Sequence, residues 1–177
     1  MKEIPLTQGK VALVDDRDYV NLMAIGPWHA AKGRNTWYAV RAFRDRSGKI
    51  CRWGMHAVLL GVRGTKTVVD HRNGNGLDNR RANLRRASQA QNQINRAGNL
   101  RSGSMASKYR GVKLRRARTW EADIRINGKK TFLGSFKTAE DAARAYDAAA
   151  RQYHGEFARL NFPAESDTQD GRPLPSA

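Results

Sequence analysis

An α+β chain built from separate small units is the fold class this sequence predicts. Three observations predict it. Short runs of strand formers recur between Val11 and Val69 with no long apolar period of a helical bundle. A Gly/Ser-rich stretch at 98–107, G-N-L-R-S-G-S-M-A-S, breaks the chain as a linker does. Beyond it, a hairpin signal at Asn127-Gly128 is followed by one helix striped with small residues.

The N-terminal segment, 1–54, reads as β-rich. Val11 to Val14 is a short apolar run, Trp37 to Phe43 is dense in strand formers, and Ser47-Gly48 turns the chain before Ile50 to Trp53. A meander with turns near Gly33 and Gly48 follows. Trp28, Trp37, Tyr38 and Trp53 are read as core packing in preference to base stacking. The second segment, 55–97, opens with a short apolar helix, Met55 to Gly61, on which His56 is read as structural. Val68-Val69 then runs as a strand into Asp70-His71. Asn73-Gly74-Asn75-Gly76 is a turn tolerant of positive φ, Leu84 to Ala87 is a return strand, and the capping box Ser88-Gln89-Ala90-Gln91 starts a helix.

The third segment, 108–163, is expected to fold as a three-stranded antiparallel sheet packed on one helix. Trp120, Ala122, Ile124 and Ile126 alternate with Glu121, Asp123 and Arg125, so the two sets face opposite ways. Thr138 caps a helix whose stripe is Ala142, Ala145, Tyr146, Ala149, Ala150 and Tyr153, and Gly155 ends it. The tail, 164–177, is polar and expected to be disordered. No internal repeat is visible.

Charge bounds the partner. The 177 residues hold 33 Lys+Arg against 16 Asp+Glu, a net of +17, and the pI is near 10.9. Such an excess implies a polyanion, with nucleic acid the leading candidate. No apolar run approaches a membrane span, so no membrane partner is expected. Both halves are basic, with 18 basic and 7 acidic residues over 1–100 and 14 and 6 over 101–163. Cys51 is a lone cysteine, which removes intrachain disulfides and cysteine-based zinc sites. The polar N-terminus does not read as a signal peptide, so an intracellular, reducing setting is expected. Oligomeric state is open, with a monomer favoured.

The richest stretch for chemistry is Asp70 to Asn92. Phosphodiester hydrolysis needs an activated water, neutralisation of the phosphate and help for the leaving oxygen. His71 at a strand end suits a general base. Asp70, on the opposite side of the strand, and an asparagine amide oxygen suit a hard cation, Mg²⁺ or Mn²⁺. Asn83 is placed to hold the loop and orient the histidine. Arg72, Arg80, Arg81, Arg85 and Arg86 are placed for phosphates. Singly, each feature has a bland reading as a turn or a solvated face.

The run V-D-H-R-N-G-N-G-L-D-N-R-R-A-N-L-R followed by Gln91-Asn92 resembles the HNH endonucleases of phage and introns, as does the preceding M-H-A-V-L-L-G. The resemblance implies a ββα-metal fold with one divalent ion per active site. It makes His71 and Asn83 catalytic, and Asp70 and Asn92 the metal ligands. It also implies a phage-encoded protein acting in a bacterial host's cytoplasm. Asn92 stands where the wider family often has His, and Ala57 where a basic residue is common.

Tyr109-Arg110-Gly111-Val112, Trp120 to Arg125, Phe132 to Phe136, T-A-E-D-A-A-R-A-Y-D-A-A-A from Thr138 and Leu160 to Pro163 are similar to the Apetala-two/ethylene-response-factor DNA-binding domain. That resemblance implies DNA contacts from Arg110, Lys113, Arg115, Arg125, Lys130 and Phe132, by a sheet laid in the major groove. Ala117 and Lys113 depart from the family's usual Trp and Arg. Together the two resemblances imply a metal-dependent DNA endonuclease targeted by a C-terminal DNA-binding domain. The alternatives are a DNA-binding transcription regulator with a silent nuclease module and an RNA-binding protein.

Overall fold

The structure is a computed structural model that describes residues 1–62, 67–95, 107–115 and 119–163. Most of the expected linker, the expected tail and Ala117 lie outside the described residues. The chain divides into two compact units, Met1–Asn92 and Gln93–Ala177.

The N-terminal unit begins with an antiparallel pair, β1 (Lys2–Pro5) and β2 (Val11–Val14). Helix α1 (Asp16–Ile25) follows, then the meander β3 (His29–Lys32), β4 (Trp37–Arg44) and β5 (Ile50–Gly54). Helix α2 (Met55–Leu59) leads to the hairpin β6 (Thr67–His71) and β7 (Leu84–Ser88), and the unit ends within α3 (Gln89–Asn95) at Asn92. The meander, α2, the hairpin and the capping box all agree with the sequence reading. In the box, Gln91 N–H donates to Ser88 Oγ and Ser88 N–H to Gln91 Oε1.

Two elements differ from that reading. Strand β1 pairs with β2, and α1 interrupts the β structure expected across 1–54. Asp15, Asp16 and Asp18 crowd the first turn of α1, where the helix dipole favours anions, and Gly26-Pro27 stops it. The core gathers Ile4, Ala12, Val14, Leu22, Trp28, Ala39 and Met55, all nearly solvent-free. Trp28 lies in this core, as expected, and its indole N–H donates to Leu22 O.

In the C-terminal unit, β8 (Val112–Leu114), β9 (Trp120–Ile126) and β10 (Lys129–Phe136) form an antiparallel sheet in the order β10-β9-β8. Helix α4 (Ala139–His154) packs across one face. Asn127 and Gly128 take φ of 48° and 80° in the β9–β10 turn, the positive values that a two-residue hairpin requires. Thr138 caps α4 by accepting from Asp141 N–H. Ala142, Ala143, Tyr146, Ala149 and Ala150 are buried against Val112, Ala122 and Ile124. Tyr153, expected in the stripe, is instead exposed, and Ala143 takes a buried place the stripe had not assigned.

Small side chains let α4 lie close enough to the sheet to require a glycine opposite. Gly111, at φ +73°, has Tyr146 and the Asp123 carbonyl where a Cβ would stand. Asp147, buried in α4, accepts from the backbone N–H groups of Asn161 and Phe162, and Asn161 Oδ1 accepts from Arg110 N–H. This clamp ties the chain after α4 back to the start of the sheet.

Candidate nucleic-acid interface

Two regions were expected to meet DNA, and they are built differently. The first is the β6–β7 hairpin with its connecting loop. Asp70 and Arg85 stand opposite each other in the register, so their side chains share one face. Arg85 Nε donates to Asp70 Oδ2 at 2.8 Å and Nη2 lies 2.7 Å from the same oxygen. Both residues are about 95% buried. Next to them His71 is 6% exposed and packs against the rings of Tyr38 and His56 at 5.8 and 5.1 Å between centroids. Burial holds both imidazoles neutral. It lowers His71 against the opposing pull of Asn79, Asp70 and Asp78, and it lowers His56 to about 4, with His71 adding to the effect.

Asn83 is the brace of the 72–83 loop. Its Oδ1 accepts from Asn73 N–H and its Nδ2 donates to Asp78 O. Asp78 in turn accepts from Arg80 Nε and Nη2 and from Asn73 Nδ2. Burial raises the Asp78 carboxyl, but the Arg80 guanidinium overcomes this and leaves it below the usual range. Arg81 forks onto Asp18 of α1 at 2.8 Å through two nitrogens, and its backbone N–H donates to Asp15. Arg86 donates to Leu60 O. Arg72 is half-buried, its backbone N–H donating to Asn83 O.

These positions describe the surroundings of the expected metal ligands. A divalent ion at Asp70 would sit beside the Arg85 guanidinium, a like charge already holding the carboxylate. His71, expected to face an attacking water, faces aromatic rings. Asn92 lies half-exposed on α3. Among the described residues no group of three His, Cys, Asp or Glu could hold a metal ion. The expected phosphate-binding Arg80, Arg81 and Arg85 are engaged with carboxylates within the unit.

The second region is the face of the β8–β10 sheet turned away from α4. Register places Lys113 opposite Glu121, Lys130 opposite Arg125 and Phe132 opposite Asp123. Lys113 Nζ lies 3.1 Å from Glu121 and 3.3 Å from Asp123, Arg115 Nε 3.0 Å from Glu121, and Lys130 Nζ 3.1 Å from Asp123. Hydrogen bonds from Arg115 and Lys113 lower the Glu121 carboxyl, and Glu121 raises the Lys113 ammonium. Arg125 is exposed and reaches Gly128 O, and Phe132 is 60% exposed. The half-buried Arg110 has its guanidinium donating to Ile94 O. The acids Glu121 and Asp123 were not assigned a site role, although the β9 alternation had already turned them to this face.

Comparison with known proteins finds relatives over part of the chain. The chain is 52% identical over 63 residues to ethylene-responsive transcription factor 3 of Nicotiana tabacum, covering 34% of this chain and 28% of that protein. It is 53% identical over 60 residues to dehydration-responsive element-binding protein 2E of Oryza sativa subsp. japonica, covering 33% and 19%. With ethylene-responsive transcription factor ERF017 of Arabidopsis thaliana it shares 45% over 64 residues, 35% of each. The chain therefore spans about a third or less of the length of these relatives. Over the shared stretches these relatives are Apetala-two/ethylene-response-factor-type domains. No family model matches the chain.

These relatives overturn the endonuclease expectation: they are named as transcription factors and element-binding proteins, and they point to DNA-binding regulation. As plant proteins they give no support to the expected phage origin. No helix among the described residues is long and apolar enough to cross a membrane.

Proposed function

We propose that this protein is a DNA-binding transcription regulator whose C-terminal sheet lies on duplex DNA inside the cell. One observation carries the reading. The β8–β10 face opposite α4 presents Lys113, Arg115, Arg125 and Lys130 around the exposed ring of Phe132. A basic, three-stranded antiparallel face fits the major groove, which admits β elements as well as helices. The α4 face is closed by packing, so the sheet has one side to offer. The similarity to ethylene- and dehydration-responsive plant proteins supports the same reading.

Within that reading, Arg125 and Arg115 carry phosphate or base contacts and Phe132 supplies apolar contact to a sugar or a thymine methyl. Lys113 contributes charge without the two-pronged geometry that reads guanine. Glu121 and Asp123 keep Lys113, Arg115 and Lys130 extended in the absence of DNA, which lowers the ordering cost of binding.

The test is fluorescence anisotropy of labelled duplex DNA with the whole chain and with Arg115→Ala/Arg125→Ala. The double variant is expected to weaken binding by about tenfold or more at moderate salt. Phe132→Ala is expected to narrow the gap between preferred and random duplexes. A dissociation constant within about twofold of the parent for the double variant would sink the reading. Equal or tighter binding to RNA of the same sequence would replace duplex DNA by RNA as the partner.

A further inference from the structure

We infer that the β4–β5 hairpin of the N-terminal unit is a second duplex-DNA contact, separate from the C-terminal sheet. The core of this unit includes Ala39 and Met55, so burial ends where β4 passes Val40 and β5 enters Gly54. Beyond that point a two-stranded ribbon runs out past the core. Its cations are Arg41, Arg44, Arg46, Lys49 and Arg52, against a single carboxylate, Asp45.

Asp45 is engaged in the turn. Its Oδ1 accepts from the backbone N–H of Ser47 and Lys49 and from the Ser47 hydroxyl, which holds the carboxyl below its usual range. Its role is therefore to shape the tip. Register puts Ala42 opposite Arg52 and Arg44 opposite Ile50. Arg44 and Arg52 are thus diagonal neighbours on one face, with the small Ala42 and the 57% exposed Ile50 between them. Like charges so placed on a sheet repel. Elsewhere in this unit Arg80, Arg81 and Arg85 each meet a carboxylate. Here the residues sharing the face, Ala42, Arg44, Ile50 and Arg52, include none.

The opposite face of the ribbon is stiffened. Phe43 and Trp53 pack at 4.4 Å between centroids, and the Arg41 guanidinium lies 5.9 Å from the Phe43 ring. The result is a narrow β-ribbon with a basic face, on which Arg44 Nη1 donates to Gly48 O while no carboxylate shares the face, and a basic tip at Arg46 and Lys49, both exposed. A two-stranded ribbon is one of the two elements the major groove admits, and rows of cations on it match phosphates flanking the groove.

This inference goes beyond the proposal for the C-terminal sheet and is separable from it. The experiment uses the full chain and a random-sequence duplex, with binding measured across a salt series. The triple variant Arg46→Ala/Lys49→Ala/Arg52→Ala changes exposed side chains outside the core and is expected to keep its thermal midpoint. It should weaken binding by about tenfold, and the slope of log affinity against log salt should fall by about 2 to 3, close to 0.9 for each lost phosphate contact. Should the triple variant lose its fold, Arg52→Ala alone decides the matter through a slope lowered by about one.

Unchanged affinity and slope would overturn the inference while Arg115→Ala/Arg125→Ala still weakens binding. The reverse pattern would uphold the hairpin and remove the sheet. A parent chain that binds no duplex at all overturns both. Vesicles of anionic lipid serve as the competing polyanion, and loss of vesicle binding with duplex binding intact would also overturn it.

Discussion

In the β6–β7 hairpin and its loop, Arg80, Arg81 and Arg85 close onto carboxylates whose side chains are 3%, 10% and 5% exposed. On the β8–β10 sheet, Lys113, Arg115 and Lys130 lie against Glu121 and Asp123, which are 18% and 22% exposed, and the cations themselves are 36%, 61% and 54% exposed. The two sets differ in the carboxylates and in Arg85: the side chains of Arg80 and Arg81 are 42% and 38% exposed, close to Lys113, whereas Arg85 is 6% exposed. In the first region they hold a Gly/Asn-rich loop that has few apolar side chains of its own. In the second they are displayed, and water screens them. A guanidinium near a carboxylate therefore says little about function until its burial is known.

The comparison breaks most sharply at Arg85. Removing one partner of a buried pair strands the other charge, a loss of about 3–5 kcal/mol. Arg85→Ala is expected to destabilise the N-terminal unit by that amount in a denaturant titration followed by the tryptophans. Asp70→Leu/Arg85→Leu, which removes both charges, is expected to lose much less. A single change that loses under about 1 kcal/mol would place Arg85 with the displayed arginines.

The buried His71 and the half-buried His56 sharpen the contrast through pH. His56 titrates near 6.5 when unfolded and at about 4 when folded, because burial and the neighbouring His71 oppose its charge. As pH falls below 6.5 the unfolded chain takes up a proton that the folded unit refuses, so stability drops until pH 4. The gap between the two values corresponds to a loss of about 3 kcal/mol, at about 1.4 kcal/mol for each pH unit it spans. His71 moves the same way. The carboxylates Asp18 and Asp78, with pKa values lowered from 3.8, add their own loss below that window. Unfolding titrations between pH 7 and 4 are expected to show the N-terminal unit weakening, and His56→Gln to flatten the curve. A flat curve for the parent would mean that these rings are solvated.

How much of this was legible in the sequence follows from range. Local signals were faithful: the Asn127-Gly128 turn, the Thr138 cap, the Ser88–Gln91 box and the β9 alternation each depend on neighbours a few residues away. Helix α1 carries a weak signal because its start is acidic and its apolar face short, with Val20 and Met23 left exposed. The chemistry of residues 70–92 misleads for a longer-range reason. Arg81 is answered by Asp18, 63 positions away, and Asp70 by Arg85 across the hairpin. Nothing local distinguishes an arginine that awaits a phosphate from one that already holds a distant carboxylate. The β4–β5 cations are hidden for the opposite reason. The run R-D-R-S-G-K looks like any solvated turn, and the register is needed to align Arg44 with Arg52.

The smallest effect tests the displayed side of the comparison. Glu121 draws both Lys113 and Arg115, yet it sits where solvent screens the pairs, so Glu121→Gln is expected to leave the thermal midpoint of the C-terminal unit unchanged. The same substitution removes a negative charge from the face proposed to meet phosphates. Affinity for duplex DNA is therefore expected to rise, by about twofold to fivefold at low salt, and the gain to shrink as salt screens it. Stability and binding would then move independently at this position, whereas Arg85→Ala moves stability alone. A clear fall in midpoint on Glu121→Gln would show that the outer network holds the sheet together, and the contrast between a structural and a displayed set of cations would fail at its weaker end.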